Sequence, residues 1–165
     1  MPANSNDQNT PAGWSTYRSP HFGFEIAAPP SSDIQSNTNA QASFGRRGGV
    51  VINDVSSSGT KTVVINVYDS QDHLEKDHQN QHTTSLDEAM AELGLDRVAD
   101  MEVAGEPRVV YAGEHVVDGV GGTPYRSVWI EVIGTAYAYA VSFQNFSEDP
   151  LDLDIQNYLN SLKLI

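Results

Sequence analysis

The chain has no cysteine in 165 residues, which removes disulfide bridges, thiolate nucleophiles and cysteine-ligated metal from consideration. The redox compartment stays open, because a secreted protein need not be bridged. Positive charge is scarce as well: 9 Lys and Arg stand against 22 Asp and Glu, a formal net charge of -13. Such a surface repels phosphate backbones and anionic headgroups, so nucleic acid is excluded as a partner. The acidity fits a cationic partner, a high-salt habitat or simply a well-solvated surface. No apolar run approaches the ~20 residues of a membrane span, and no signal-peptide pattern is expected ahead of the first strand. Residues 2–13, PANSNDQNTPAG, hold no large apolar side chain, so 1–13 reads as a flexible tail. That tail is either a tether left after removal of a signal or lipid-attachment sequence, or a disordered terminus. With 39% hydrophobic residues, the remaining 14–165 suffice for one buried core and one domain.

What is present is organised around Pro124 to Phe146, PYRSVWIEVIGTAYAYAVSFQNF, which reads as two neighbouring strands. Tyr137, Tyr139, Val141 and Phe143 fall on one face of the second strand, with Ala136, Ala138, Ala140 and Ser142 on the other. A flat Ala/Ser face admits a helix at close range, so both faces should be covered. In the first strand Val128, Ile130 and Val132 alternate with Ser127, Trp129, Glu131 and Ile133. Gly134-Thr135 is expected to be a two-residue II′ turn with positive φ at Gly134. The following FSEDPLDLDIQNYLNSLKLI predicts a closing helix, with Asp149 as cap, Pro150 at its first position and a stripe of Leu151, Ile155, Tyr158, Leu159 and Leu162.

Taken from its start, the chain opens with a hairpin over WSTYRSPHFGFEIAAPP, turning at Ser19-Pro20. SSDIQSNTNAQ reads as loop or one weak helical turn. QASFG, GVVINDVSSS and KTVVINVYDS read as strands, the last placing the centre of the sheet. SQDHLEKDHQNQH offers only Leu74 as an apolar anchor and should lie on the surface, whereas TTSLDEAMAELGL predicts a helix capped by Ser85 with Glu88 and ended by Gly94. RVADMEVAG and PRVVYAGEHVV return to strand, broken at Glu106-Pro107. The fold class is therefore α+β, a mostly antiparallel β-sheet flanked by helices.

Trp14, Tyr17, Phe22, Gly23, Phe24, Pro29, Gly105 and Tyr139, together with GTAYAYAVSF in the penultimate strand, give a pattern that resembles the PsbP-like α/β/α sandwich. That group includes PsbP subunits of the photosystem II oxygen-evolving complex, a Ran-binding nuclear-import factor, and bacterial DcrB-like and LpqN-like envelope lipoproteins. The resemblance covers residues 14 to 165 and rests on structural positions. It implies a binding or assembly protein with no shared catalytic centre, and it carries over no functional residue. The acidic balance and polar tail look most like the bacterial envelope lipoprotein branch.

His78 and His82 are four apart and would share a helix face, so with His73, Asp77 or Asp72 they are the candidate metal ligands. No HExxH pattern accompanies them, and solvated imidazoles are the plain alternative. Asp152 and Asp154 with Glu148 and Asp149 suit a helix N-terminus better than calcium, lacking the Asp-x-Asp-x-Asp-Gly loop. Gly119, Gly121 and Gly122 precede a strand, which makes them a turn and not a phosphate cradle. Arg46-Arg47 is too small for a nucleic-acid patch and reads as a charged strand end. Among the aromatics, Trp129, Tyr137 and Tyr139 are the candidate ligand-binding residues, either as core or as the lining of a groove between helix and sheet. The leading expectation is a non-enzymatic binding, assembly or chaperone-like module of the cell envelope, periplasmic or extracellular, tethered through its tail and recognising a protein partner or small ligand without a cofactor. A hydrolytic or metal-dependent enzyme using His73, His78, His82 or His115 is the alternative, and a cytoplasmic secretion or immunity adaptor a third.

Overall fold

A computed structural model describes residues 10–38, 46–54, 61–78, 85–115, 125–144 and 153–165. The elements run β1 (Ser15–Ser19), β2 (Phe24–Ala28), β3 (Ser32–Asn37), β4 (Arg46–Asp54), β5 (Lys61–Tyr68), α1 (Gln71–His78), α2 (Leu86–Glu92), β6 (Leu95–Val103), β7 (Glu106–His115), β8 (Tyr125–Ile133), β9 (Ala138–Gln144), α3 (Leu153–Ser161) and β10 (Lys163–Leu164). Seven strands form one sheet in the order β3-β4-β5-β9-β8-β7-β6, antiparallel throughout, and β1, β2 and β10 form a second, smaller sheet.

Period-two alternation builds two cores on the two faces of the large sheet. Val63, Ile65 and Val67 of β5, Val128, Ile130 and Val132 of β8, and Tyr139, Val141 and Phe143 of β9 meet Phe24 and Ile26 of β2 and Ile155, Tyr158 and Leu159 of α3. The opposite face carries Tyr68, Tyr111, Trp129, Ala138 and Ala140 under Leu74 of α1 and Met90 of α2. The small Ala side chains of β9 are what let α1 lie close to the sheet. This is the α+β fold that the sequence pattern implied, arranged as the sandwich that the resemblance implied. α3 is tied down by polar contacts also: Lys61 Nζ lies 2.8 Å from Asp154 Oδ2 near its start. At its end the buried Ser161 hydroxyl accepts from Ala27 N at 2.9 Å and donates to the Tyr158 carbonyl at 2.8 Å. β10 pairs only with Phe24 and Glu25, so Ser161 takes up the ladder position beyond the end of that strand.

Several local expectations are corrected. The β8–β9 connection is the four-residue Gly134–Tyr137 loop, with Ile133 opposite Ala138 and Gly134 N donating to Tyr137 O at 2.9 Å. Gly134 does not take a positive φ, so the II′ turn is absent. Its lack of a side chain matters for space, since a Cβ would stand 3.0 Å from Leu164 Cδ1. The polar segment expected as loop is strand β3, an edge strand carried by its pairing to β4. The β6–β7 break falls at Ala104-Gly105, with φ of 52° and 83°, the pattern of a type I′ hairpin turn. Pro107 lies inside β7 opposite Glu102. The central strand is β9, with three neighbours on either side, and β5 lies next to it. QASFG and the turn at 118–124 lie outside the described residues, as do Asp149, Pro150 and Leu151.

The helix signals hold where they are described. Ser85 Oγ accepts from Glu88 N at 3.2 Å, and Gly94, at φ 82°, ends α2 with its N–H on the Ala91 carbonyl. Leu93, assigned to the stripe, is exposed because it sits past the last turn.

Candidate functional site

The three aromatic candidates do not line one groove. Trp129 is 6% exposed and packs beside Tyr111 on the helix-covered face, ring centroids 6.1 Å apart. Tyr139 points the other way, its hydroxyl donating to the Phe22 carbonyl at 2.5 Å and its ring edge-on to Phe24. Burial pushes its pKa up to about 12. Tyr137 is half-buried in the β8–β9 loop, with the Arg47 guanidinium 5.9 Å from its ring centre. The register of β8 against β9, with Trp129 opposite Ser142 and Val132 opposite Tyr139, puts Trp129 on the other face of the same sheet. These residues hold the layers together.

The histidine segment forms α1, where His73 is engaged at the helix start: Ser70 Oγ accepts from His73 N at 3.3 Å and lies 2.8 Å from its Nδ1. His78 falls in α1, but its side chain and that of Asp77, and the whole of His82, lie outside the described residues, as do the side chain of His115 and residues Glu148, Asp149, Asp152, Gly119, Gly121 and Gly122. Among the described residues no three His, Asp or Glu side chains stand together as a metal-holding group. Asp154 is ion-paired with Lys61, and Arg47 with Asp69, as expected of a helix start and a charged strand end.

Two concave regions are more informative. The larger is a cleft of about 600 Å³ between the end of α3 with β10 and the tip of the β6–β7 hairpin. Leu159, Leu162 and Leu164 supply apolar wall; Glu25, Glu102, Asn160 and Lys163 supply polar rim. β10 is an edge strand of the small sheet and β6 an edge strand of the large one, and the cleft is lined by Lys163 and Leu164 of the first and Glu102 of the second. An edge strand is in general a template for pairing with another chain.

The smaller is a crevice of about 140 Å³ lined by Leu86, Pro107, Arg108, Val109, Tyr111 and Glu131. It exists because the large sheet is split there. The β7–β8 ladder runs from His115↔Tyr125 to Val110↔Ile130 and stops, although β7 begins at Glu106 and β8 continues to Ile133. Pro107 has no N–H for a ladder, which accounts for the divergence at this level. Arg108 Nη2 reaches the Ile133 carbonyl at 3.4 Å, bridging the two strands where their backbones no longer pair. Leu86 of α2 covers the split, and Tyr111 donates its hydroxyl to Asp87 of that helix. Glu131 Oε1 and Arg108 Nε are both buried without a hydrogen-bond partner. Burial, reinforced by the Glu75 carboxylate of α1, pushes the Glu131 pKa up to about 7 against the opposing pull of Arg108. Burial also raises the Tyr111 hydroxyl, helped by Asp87. The sequence carried one clue to this site: a carboxylate between Trp129 and Ile133 on a face otherwise destined for burial.

No family model and no curated protein matches the chain. Its architecture is similar to that of solved proteins. The solution structure of cyanobacterial PsbP (CyanoP) from Synechocystis sp. PCC 6803 aligns with a TM-score of 0.56 at 14% identity, covering 93% of this chain and 94% of that one. The fold is PsbP-like. A crystal structure of a protein from Bacteroides thetaiotaomicron VPI-5482 aligns with a TM-score of 0.57 at 10% identity over 93% of this chain. The PsbP-like chain corresponds to 49% of that longer protein. At these identities the likeness is one of fold. No helix among the described residues is long and apolar enough to cross a membrane.

Proposed function

We infer that this PsbP-like chain is a non-enzymatic binding or assembly module of the cell envelope, tethered through its N-terminal segment, and that it receives an extended segment of a protein partner in the α3/β10 cleft. The observation that carries the reading is the cleft itself, about 600 Å³ of space with a leucine wall, lined in part by residues of two edge strands. An extended segment would pair its backbone with an edge and set alternate side chains against Leu159, Leu162 and Leu164, the mode of β-strand addition. Glu102 on the rim favours a segment with basic residues, in keeping with the net charge of -13, while Glu25 is paired with Arg18. The PsbP-like group that the sequence resembles consists mostly of binding and assembly proteins, which supports the same class.

The test is site-specific photocrosslinking in the source cells, with a photoreactive residue at Leu164 in one strain and at Gln35, on the far edge strand, in another. A discrete adduct from position 164 and none from position 35, recovered with the envelope fraction, is the expected result. Equal adducts from both positions, or a protein found wholly in the cytosolic fraction, would overturn the reading.

A further inference from the structure

Two edge strands contribute to the α3/β10 cleft, and their backbones differ in what they offer an incoming segment. In an antiparallel pair, residues alternate between exchanging backbone bonds with the neighbouring strand and turning N–H and C=O to the other side. Ile165 N donates to the Gly23 carbonyl at 2.9 Å, and two residues earlier Lys163 stands opposite Glu25, so both bond toward β2. Leu164 between them therefore turns its N–H and C=O away from β2, on the side where the order β1-β2-β10 ends. Among the described residues no other backbone hydrogen bond takes up these two groups. Their position is fixed, because the Leu164 side chain packs on the main core and lies against Gly134 of the β8–β9 loop.

β6 is a guarded edge by comparison. It exposes Asp96, Arg97, Asp100 and Glu102, and a bulge interrupts it between Arg97 and Ala99, both of them devices that discourage pairing. β10 carries one charge, Lys163, and pairs with β2 without a shift of register. That charge extends a row across the small sheet, Arg18↔Glu25↔Lys163, in which the signs alternate and Arg18 Nη1 lies 3.5 Å from Glu25 Oε1. The next position of the row suits an acid, since opposite charges directly across a ladder attract. Resting on the cleft as the partner's site, we propose that the partner's segment adds to β10 as an antiparallel strand of the small sheet, one residue exchanging both backbone bonds with Leu164 and the adjacent residue, Asp or Glu, lying opposite Lys163. An antiparallel segment suits so short an edge, because a single residue takes both bonds, whereas a parallel one must use two. A basic residue on the β6 side meets Glu102, so the segment is one of mixed charge.

The test places a photoreactive residue at Asn160, an exposed position of the cleft, in the source cells. Leu164→Pro removes the outward N–H without costing the small sheet a bond, and Leu164→Ala shortens the side chain while keeping that N–H. The adduct yield of Leu164→Pro should fall about ten-fold or more below that of Leu164→Ala, because a carbonyl of the segment loses its donor. On β6, Val103↔Glu106 closes the turn, so Glu102 also turns its N–H outward, and Glu102→Pro should match Glu102→Ala. Lys163→Glu should lower the yield several-fold, and Lys163→Arg should retain it. In adduct purified from cells with no second substitution, the Leu164 amide should exchange with solvent at least about ten-fold more slowly than in the free chain, whether or not any variant folds. Equal yields from Leu164→Pro and Leu164→Ala, a loss confined to Glu102→Pro, or unchanged exchange at Leu164 would overturn strand addition on β10 and leave the cleft as the partner's site. No adduct from either position 160 or position 164 would overturn the cleft reading itself, and strand addition with it.

Discussion

Replacing Glu131 by Gln should stabilise the protein at alkaline pH and do little in acid. In the folded chain the carboxyl titrates near 7, raised from an ordinary 4.5 by burial first and by Glu75 second. The native state therefore holds this proton over a range in which the unfolded chain has lost it. Stability contributed by the protonated form is fully present below about 4.5 and is lost progressively as pH rises to about 7, after which it stays lost. At 1.36 kcal/mol for each pH unit of displacement, the parent should lose roughly 2.5 kcal/mol from this group between pH 5 and pH 8. Gln keeps the shape, removes the charge and does not titrate. The assay is urea unfolding of both proteins at pH 5, 6, 7 and 8, read as variant minus parent, so that the other acids cancel. For a chain of this length the gain at pH 8 corresponds to a melting temperature about 5–10 °C higher. A variant-minus-parent difference that stays flat across this range would refute the burial argument and show that Glu131 is solvated in the folded state.

Ser161→Ala should cost ~1–3 kcal/mol in urea unfolding, because the Ala27 N–H is left buried with no acceptor; Ser161→Thr, which keeps the hydroxyl, should recover part of it. Tyr139→Phe should cost a similar ~1–3 kcal/mol, since the Phe22 carbonyl loses its buried donor while the ring contact with Phe24 survives. Ala104→Asn should stabilise by about 1 kcal/mol, as Asn tolerates the positive φ that Ala104 holds at 52° and Asn-Gly is the favoured type I′ pair. An unchanged or lower melting temperature in Ala104→Asn would show that the turn relaxes out of that conformation.

The layers were legible in the sequence because side-chain alternation is a local property. Val63, Ile65 and Val67, or Tyr139, Val141 and Phe143, must share a face wherever their strand lies, and the Ala face of β9 predicted a close helix on physical grounds. Ser85 and Gly94 marked the ends of α2 for the same reason, since a cap is satisfied within its own turn. β3 was not legible: with Ile34 its one large apolar residue, it is held by pairing to β4 and has no periodicity of its own. The crevice was legible only as the oddity of a carboxylate, Glu131, on a face otherwise destined for burial; that α1, α2 and the divergence of β7 at Pro107 remove its water is encoded nowhere near it. The sequence by itself determined which residues face which way along each strand and where the helices begin. Only the tertiary structure decided which of those faces meet, and so put Trp129 and Tyr139 on opposite sides of one sheet and brought Glu131 and Arg108 together in its split. Burial and long-range electrostatics depend on neighbours far along the chain, and no local pattern encodes them.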